Sequence, residues 1–323
     1  MDALNDASIL ITGGTGSFGR KFCQTLLHDY RPKKLIVFSR DELKQHTMRH
    51  EGFDVEPMRY FIGDVRDRDR LRRAMSGVDY VIHTAALKHV SSCEYNPLEA
   101  VETNIGGARN VIEAALDAHV KKVIALSTDK AVNPVNLYGA TKLVSEKVFS
   151  QGNAYSGMGN TRFSCVRYGN VVGSSGSVVP IFVRQRAQGA ITITDERMTR
   201  FWISLEEAVR FVIRCLDTMR GGEVFVPKIP SMQVVDLADA LAPGCTKTFT
   251  GIRPGEKLHE TLLSADEARH AVEREDMFVI EPEEPSWDYH KWEGPPPAEG
   301  FLYASNTNTV WLTAEDLKAK IGA

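Results

Sequence analysis

The stretch SILITGGTGSFG, residues Ser8–Gly19, decides the fold. Its first five residues, with three consecutive apolar side chains at their centre, predict a buried strand, and helical periodicity follows over Ser17–Tyr30. Between strand and helix, Gly13, Gly16 and Gly19 have the spacing G-x-x-G-x-x-G. Glycines here permit a tight turn and a close backbone approach to a pyrophosphate, which the N–H groups and the dipole of the helix N-terminus attract. The stretch therefore predicts a phosphate-binding strand–loop–helix unit.

Short apolar runs continue to alternate with longer amphipathic stretches over the first two-thirds of the chain. The predicted strands are Ser8–Thr12, Lys34–Phe38, Arg59–Ile62, Asp79–His83, Lys122–Leu126 and Phe163–Arg167. The predicted helices between them are Ser17–Tyr30, Asp41–Glu51, Asp67–Met75, Glu94–Ala118 and Asn136–Ser150. Unbroken apolar strands separated by helices are typical of a parallel sheet covered on both faces. The fold class is therefore α/β, with a Rossmann-like, doubly wound parallel sheet.

The pattern changes after Tyr168, where short helices alternate with small strands and predict a smaller mixed α/β domain. These helices are predicted at Val179–Gln188, Leu205–Met219 and Val234–Leu241, with a last one at Ala314–Ile321. We place the Rossmann domain at residues 1–170 and a mainly substrate-binding domain at 171–323. The proline-rich segment 281–299 holds Trp287 and Trp292, which favours an ordered arm over a free tail.

Composition excludes several classes of protein. Of 323 residues, 43% are hydrophobic and 25% charged, which is typical of globular proteins. Lys and Arg number 39 against 42 Asp and Glu, so wholesale nucleic-acid binding is excluded. The five cysteines are dispersed, which indicates reduced thiols, and His46 and His50 lack a third ligand, so no metal is predicted. Without a signal peptide or a membrane-spanning run, we expect a cytoplasmic protein. We also expect a homo-oligomer, either a dimer or a hexamer.

The end of the second predicted strand discriminates between cofactors. Ser39 and Arg40, with Lys44 one helical turn later, suit a 2′-phosphate and so favour NADP over NAD. An acid here would suit the ribose of NAD instead, but we interpret Asp41 as the cap of the following helix. The remaining predicted cofactor contacts are Thr15, Ser17, Phe18, Asp64, Val65, Ala85, Ala86 and Val171.

A catalytic pair opens the helix after the fifth strand. Tyr138 and Lys142 are four residues apart and so share one helical face. The ammonium can lower the pKa of the phenol, which then becomes a usable proton acceptor. Together with Ser127 and Thr128 at the strand end and the glycine loop, these features resemble the extended short-chain dehydrogenase/reductase superfamily over nearly the whole chain. By that resemblance, Tyr138 and Lys142 also contact the cofactor.

Two more titratable groups, Asp129 and Lys130, follow Thr128 directly. A simple reductase or 4-epimerase does not need them, so they indicate a second proton chemistry, elimination. Asp129 could protonate a leaving hydroxyl, and Lys130 could remove a carbon-bound proton acidified by a new ketone. Lys130 needs a depressed pKa to act as a neutral base, and we expect burial and nearby Lys142 to lower it.

This stretch and three others resemble one family, the inverting UDP-N-acetylglucosamine 4,6-dehydratases that open the pseudaminic acid pathway. The other stretches are Ala86–Val90, Thr194–Trp202 and Gly251–Glu260. Retaining membrane-bound relatives usually have Met in place of Tyr138. One departure is Ser91-Ser92-Cys93, where the family more often starts with Pro.

The resemblance implies a hydro-lyase reaction on UDP-N-acetylglucosamine that recycles NADP. Tyr138 takes the 4-hydroxyl proton while C4 loses hydride, Lys130 takes the C5 proton, and Asp129 protonates the departing 6-hydroxyl. Hydride returns to C6 and C5 is reprotonated from the opposite face, which gives a UDP-4-keto-6-deoxy-L-arabino-hexosulose. The predicted catalytic residues are Thr128, Asp129, Lys130, Tyr138 and Lys142. The predicted substrate contacts are Lys88, Asn170, Ser174, Ser175, Ser177, Val178, Thr194, Arg200, Arg253 and Glu256.

Two of these contacts have specific expected roles, for Arg253 can bind the diphosphate and Glu256 can accept from a ribose or uracil donor. Three alternatives to the dehydratase remain open at this point. They are a nucleotide-sugar epimerase, a capsule-type dehydratase/5-epimerase, and a non-catalytic NADP-sensing scaffold. The full set of Tyr138, Lys142, Asp129 and Lys130 argues against the scaffold, since a sensor needs only the phosphate loop.

Overall fold

The computed structural model describes residues 2–157, 160–173 and 178–321. The predicted contacts Ser174, Ser175 and Ser177 lie outside the described residues. The strands are β1 Ser8–Thr12, β2 Lys34–Ser39, β3 Met58–Ile62, β4 Tyr80–His83, β5 Lys122–Leu126, β6 Arg162–Val166, β7 Asn170–Val171, β8 Ala190–Ile193, β9 Thr199–Ile203, β10 Val224–Pro227, β11 Ser231–Gln233, β12 Thr246–Phe249, β13 Thr261–Leu263, β14 Ala271–Glu273, β15 Met277–Ile280 and β16 Tyr303–Ala304. The α-helices are α1 Ser17–Asp29, α2 Glu42–Met48, α3 Arg68–Ala74, α4 Val90–Tyr95, α5 Pro97–Val101, α6 Gly107–Asp117, α7 Leu137–Gly152, α8 Val178–Arg186, α9 Leu205–Thr218, α10 Val234–Leu241, α11 Ala265–Ala268 and α12 Ala314–Ile321.

A nine-stranded sheet forms the centre of the molecule, in the order β14-β15-β10-β6-β5-β4-β1-β2-β3. The parallel strands of this sheet are β10, β6, β5, β4, β1, β2 and β3. At one edge, β15 is antiparallel to β10, and β14 is antiparallel to β15. The strand order reverses between β1 and β4, which is the switch point where doubly wound sheets bind ligands. The predicted Rossmann-like α/β fold is confirmed.

Both faces of this sheet are covered, which explains the unbroken apolar strands. Successive residues of β1 point to opposite faces, so Ile9 and Ile11 belong to one apolar cluster and Leu10 to another. Phe22 of α1 packs in the first cluster, and Phe149 of α7 packs in the second. All five residues of β1 are buried as a result.

The later part of the chain contributes to two regions. A three-stranded sheet, β11-β9-β7, packs with α8 and α10 around a separate core that includes Phe182, Trp202 and Leu237. Strands β10, β14 and β15 join the main sheet, although they lie beyond residue 170. The segment 281–299, predicted as an ordered arm, contacts the residues before β10, where Trp287 Nε1 donates to Gly221 O at 3.3 Å and Trp292 Nε1 donates to Glu223 Oε1 at 3.2 Å.

Two predicted helices are shorter or broken. The helix expected over Glu94–Ala118 is broken between α4 and α5, because Asn96 leaves helical geometry directly before Pro97. A π turn over Glu102–Gly106 separates α5 from α6. The helix expected over Asp41–Glu51 ends as α2 at Met48 and continues as a π turn. All five cysteines are free, as predicted. Within the three described ranges, no helix is long and apolar enough to cross a bilayer.

Candidate active site

The glycine loop between β1 and α1 has the shape that close approach to a ligand requires. Gly13 has φ +67°, and a Cβ there would lie 2.8 Å from Thr84 Oγ1. A Cβ on Gly19 would lie 2.5 Å from Gly14 Cα, so this position also excludes any side chain. Gly16 is the N-cap of α1, and no side chain caps that helix end. The loop therefore leaves the N-terminus of α1 suited to a phosphate.

The end of β2 places the predicted ribose contacts together. Ser39 Oγ lies 2.9 Å from Thr15 Oγ1 of the glycine loop. Asp41 Oδ1 accepts a hydrogen bond from Lys44 N at 3.0 Å, which confirms that Asp41 caps α2. Arg40 Nη1 lies 3.6 Å from Asp64 Oδ2, and the Arg40 side chain is 53% exposed. Arg40 is therefore held at the rim of the site with its guanidinium accessible.

The other predicted cofactor contacts differ in how exposed they are. Val65 is buried against α6, where a Cβ on Gly107 would come within 2.8 Å of its Cγ2. Ala85 and Ala86 follow β4, and Ala85 N donates to Thr12 Oγ1 at 3.3 Å. Phe18 stacks on Phe22, with ring centroids 5.9 Å apart. Ser17, Phe18 and Val171 are all half-buried.

Tyr138 and Lys142 begin α7 and lie beside the end of β5. Lys142 is buried, and its Nζ donates to Leu126 O at 2.5 Å. Burial raises the pKa of Tyr138 to about 12, although the Lys130 ammonium and a hydrogen bond with Thr128 oppose the rise. The expected lowering of the Tyr138 pKa is therefore wrong. Lys142 is engaged with the β5 carbonyl, and burial lowers its own pKa.

Asp129 and Lys130 form an ion pair in a short 3-10 turn after β5. Asp129 is fully buried, and its Oδ1 accepts hydrogen bonds from Thr128 Oγ1 and Lys130 Nζ, both at 2.9 Å. Glu260 Oε1 lies 3.3 Å from the same Nζ. Burial lowers the pKa of Lys130, but the carboxylates of Asp129 and Glu260 outweigh it and raise the pKa above its usual value. The expected depressed pKa of Lys130 is therefore wrong.

Gly139 allows this turn to pack against α7. A Cβ at Gly139 would lie 2.1 Å from Lys130 O, a distance no side chain permits. Asn136 caps α7 by accepting from Gly139 N at 2.8 Å, and Thr128 caps the 3-10 turn. Two caps and one glycine thus bring the Asp129–Lys130 pair beside Tyr138.

The predicted substrate contacts lie on several separate elements. Asn170 belongs to β7 and Val178 begins α8, while Thr194 follows β8, and all three are half-buried. Arg253 and Glu256 share one turn, in which Glu256 N donates to Arg253 O at 3.1 Å. Lys88 is exposed after β4.

Arg200, which stays a predicted substrate contact, also braces a loop of the site. It is buried, and its guanidinium donates to Lys257 O at 3.0 Å and to Leu258 O at 3.1 Å. Its Nε lies 3.7 Å from Glu260 Oε1. Arg200 therefore holds the loop that carries Arg253 and Glu256. Sequence reasoning assigned no role to Glu260, although the quoted stretch Gly251–Glu260 ends on it.

Comparison with known proteins gives the family. The model of the polysaccharide biosynthesis protein family matches residues 9–282. The chain belongs to this family. A UDP-N-acetylglucosamine 4,6-dehydratase (inverting) of Campylobacter jejuni subsp. jejuni serotype O:2 is 52% identical over 97% of this chain and 96% of its own length. The resemblance to the inverting dehydratases, inferred from four sequence stretches, is confirmed.

Two further family relatives frame the comparison. A UDP-glucose 4-epimerase of Rickettsia canadensis is 40% identical over 97% of this chain and 94% of its own length. The X-ray structure of Pen from Bacillus thuringiensis superposes with a TM-score of 0.89 at 38% identity, and covers 99% of each chain. The sequence relatives therefore include proteins named for two different reactions, and the fold is shared with Pen over nearly the whole chain.

Proposed function

We propose that the chain is an NADP-dependent, inverting UDP-N-acetylglucosamine 4,6-dehydratase, a hydro-lyase. The observation that carries the proposal is the Asp129–Lys130 pair, joined at 2.9 Å and placed beside Tyr138. Oxidation at C4 alone needs one proton acceptor, whereas elimination also needs a base for C5 and an acid for the leaving hydroxyl. The 52% identity to a dehydratase of that name supports the same activity.

The residues around the switch point fit a dinucleotide. The turn at Gly13 and the close contact at Gly19 leave room for a pyrophosphate at the N-terminus of α1. Arg40 and Ser39 would bind the 2′-phosphate, which distinguishes NADP from NAD. NADP⁺, when bound, would take hydride from C4 and return it to C6, and its positive charge favours the phenolate of Tyr138.

Tyr138 Oη is the group that takes the proton of the 4-hydroxyl. Its hydrogen bond with Thr128 and the nearby Lys130 ammonium both stabilise the phenolate. Lys142 is buried and fixed by Leu126 O, so its position does not depend on Tyr138. We assign Lys142 to the ribose of the cofactor.

The Asp129–Lys130 pair supplies both groups that elimination requires. Transfer of one proton across the 2.9 Å contact converts carboxylate and ammonium into carboxylic acid and amine. The amine then takes the C5 proton, and the electrons of the C5–H bond form the C5–C6 double bond as the C6–O bond breaks. The departing hydroxyl takes the proton of Asp129 and leaves as water. C5 is later reprotonated from the opposite face.

A UDP-glucose 4-epimerase is the second candidate, because relatives of that name are 40% identical over 97% of this chain. An epimerase returns hydride to C4 and leaves the 6-hydroxyl in place. The Asp129–Lys130 pair has no task in that reaction, which favours the dehydratase.

Product analysis of the full chain with NADP⁺ distinguishes the two candidates. The substrates are UDP-N-acetylglucosamine and, in parallel, UDP-glucose, and the products are identified by NMR. A new 6-methyl signal together with a C4 ketone or its hydrate is expected from UDP-N-acetylglucosamine. A changed configuration at C4 without a methyl signal would instead identify an epimerase. As a dehydratase of this kind, the enzyme would catalyse the first step of pseudaminic acid synthesis. We propose that it acts in the cytoplasm and as a homo-oligomer.

A further inference from the structure

Glu260 lies beside the proposed site, but the reaction above gives it no task. It directly precedes β13, its side chain is 3% exposed, and its Oε1 faces both Lys130 and Arg200. Its other oxygen, Oε2, is buried and accepts no hydrogen bond from the described part of the chain. A buried carboxylate oxygen without a donor is destabilising, so stability alone does not account for an acid at this position.

The position of Glu260 is fixed independently of Lys130. Its N–H donates to Ser305 Oγ at 2.9 Å, and its carbonyl accepts from Ser305 N at 2.8 Å. Ser305 is itself fully buried. Arg200 holds the two residues before His259 through their carbonyls. The carboxylate is therefore presented to Lys130 by a rigid frame from the distal part of the chain.

The same loop is joined to the segment that contains Lys130 at two more points. Lys257 Nζ donates to Val132 O, and Asn136 Nδ2 donates to Gly255 O at 2.7 Å. These contacts keep the loop and the 3-10 turn in one relative position. The 3.3 Å contact between Glu260 and Lys130 is thus one of three contacts that join this loop to the segment containing Lys130.

We propose that Glu260 is a positioning residue that orients the Lys130 amine toward the C5 proton, an inference that rests on the proposed function. A neutral amine has two N–H bonds and one lone pair. After the proton transfer to Asp129, rotation about the Cε–Nζ bond of Lys130 turns the lone pair away from Asp129, and Asp129 Oδ1 and Glu260 Oε1 each accept one of the two N–H bonds. The lone pair then occupies the one remaining tetrahedral direction, away from both carboxylates. With Asp129 alone, the amine could rotate and its lone pair would have no fixed direction.

Glu260 also affects the pH at which the Asp129–Lys130 pair loses its shared proton. The charged and titratable groups that face Lys130 are Asp129, Glu260, Arg200, Tyr138 and Lys257. The two carboxylates raise the pKa of Lys130, and Arg200 partly offsets them. Removing the charge of Glu260 lowers this pKa, so the pair loses its proton at a lower pH.

The test measures the two halves of the reaction separately in Glu260→Ala, Glu260→Gln and the control Glu275→Ala, an exposed acid. Single-turnover reactions in deuterium oxide follow NADPH absorbance for C4 oxidation and deuterium at C5 for proton removal. In Glu260→Ala, C5 exchange and 6-deoxy product should fall about 10²-fold, the scale of a misplaced catalytic group, while KM and NADPH formation stay unchanged. Glu260→Gln keeps an acceptor oxygen, so it should retain most of the rate, but product formation should decline at a lower alkaline pH than in the wild type.

Parallel loss of NADPH formation and C5 exchange in Glu260→Ala would overturn the inference, because it indicates a structural role only. Unchanged C5 exchange would overturn it as well. If Glu260→Ala does not fold, the pH profile of the isosteric Glu260→Gln decides, and an unshifted alkaline decline contradicts the inference. Failure of the proposed function is recognised separately, because the wild type would then form no 6-deoxy product.

Discussion

The ammonium of Lys130 lies 2.9 Å from the carboxylate of Asp129, the residue that directly precedes it. The 3-10 turn over Asp129–Ala131 brings these neighbouring side chains together after β5. Asp129 is fully buried while the Lys130 side chain is 25% exposed, so the pair has one inner and one outer member. An acid and a base at hydrogen-bond distance are what an elimination needs.

Tyr138→Phe removes the proton acceptor for the 4-hydroxyl and leaves the ring in place. We expect turnover to fall by at least about 10²-fold, the usual contribution of a general base. NADPH formation should fall equally, because C4 oxidation precedes the other steps. Tyr155→Phe is the control, since Tyr155 is 72% exposed. Turnover of Tyr138→Phe close to that of the control would exclude the proposed role.

Arg40→Ala should weaken the binding of NADP much more than that of NAD. The lost charge-assisted contact to the 2′-phosphate corresponds to about 10–100-fold in the dissociation constant. Titration of each cofactor, followed by protein fluorescence, gives the ratio. Arg72→Ala, at an exposed arginine of α3, is the control. Equal weakening of both cofactors would show that Arg40 does not read the 2′-phosphate.

Gly139→Ala should damage both stability and turnover, because its Cβ would lie 2.1 Å from Lys130 O and the turn must move. Overpacking of this kind typically costs ~1–3 kcal/mol. Gly152→Ala on the same helix is the control, since its Cβ would meet Ile112 and Phe163 at 3.3–3.5 Å. Urea unfolding and single-turnover rates measure the two effects. Equal behaviour of the two variants would mean that the α7 contact does not position Lys130.

His83 should make the fold sensitive to acid. It is buried with its Nδ1 2.8 Å from Thr12 Oγ1, and burial, with nearby Lys142, lowers its pKa to about 3. The unfolded chain has the ordinary pKa of about 6.5 and so binds the proton first, which means that stability falls as pH drops below that value. Between pH 6.5 and 5 the loss from His83 is about 1.6 kcal/mol.

The matched variant for this effect is His83→Asn, with His290→Asn as the exposed control. Urea unfolding at several pH values should show a smaller acid loss for His83→Asn than for the wild type, although the variant is less stable at neutral pH. The same acid dependence in all three proteins would contradict the role of His83.

Local signals explain what the sequence could predict. The predicted strand Ser8–Thr12 has the same bounds as β1, and the glycines after it form the predicted loop, because both features depend on nearby residues only. The cap function of Asp41 is equally local. A role for Glu260 could not be predicted, because Glu260 and Lys130 are far apart in the sequence and come into contact only in the folded chain.

The directions of the pKa shifts of Tyr138 and Lys130 could not be predicted either, because they also depend on contacts made only in the folded chain. Burial governs the pKa of Tyr138, and two carboxylates govern that of Lys130. Neither can be read from spacing along a helix. The break at Asn96 is a simpler case, since Pro97 is present in the sequence and disfavours helical geometry in the residue before it. The apolar periodicity on both sides of Pro97 nevertheless predicts one continuous helix.

Lys130→Ala, in deuterium oxide with UDP-N-acetylglucosamine and NADP⁺, tests the assignment of elimination to the Asp129–Lys130 pair most directly. Tyr138 and Lys142 remain, so C4 should still be oxidised and NADPH should accumulate. C5 should acquire no deuterium from solvent, and little 6-deoxy product should form, while Lys318→Ala, at an exposed lysine, behaves as the wild type. Formation of the 6-deoxy-4-keto sugar by Lys130→Ala at the wild-type rate, with deuterium at C5, would contradict the account.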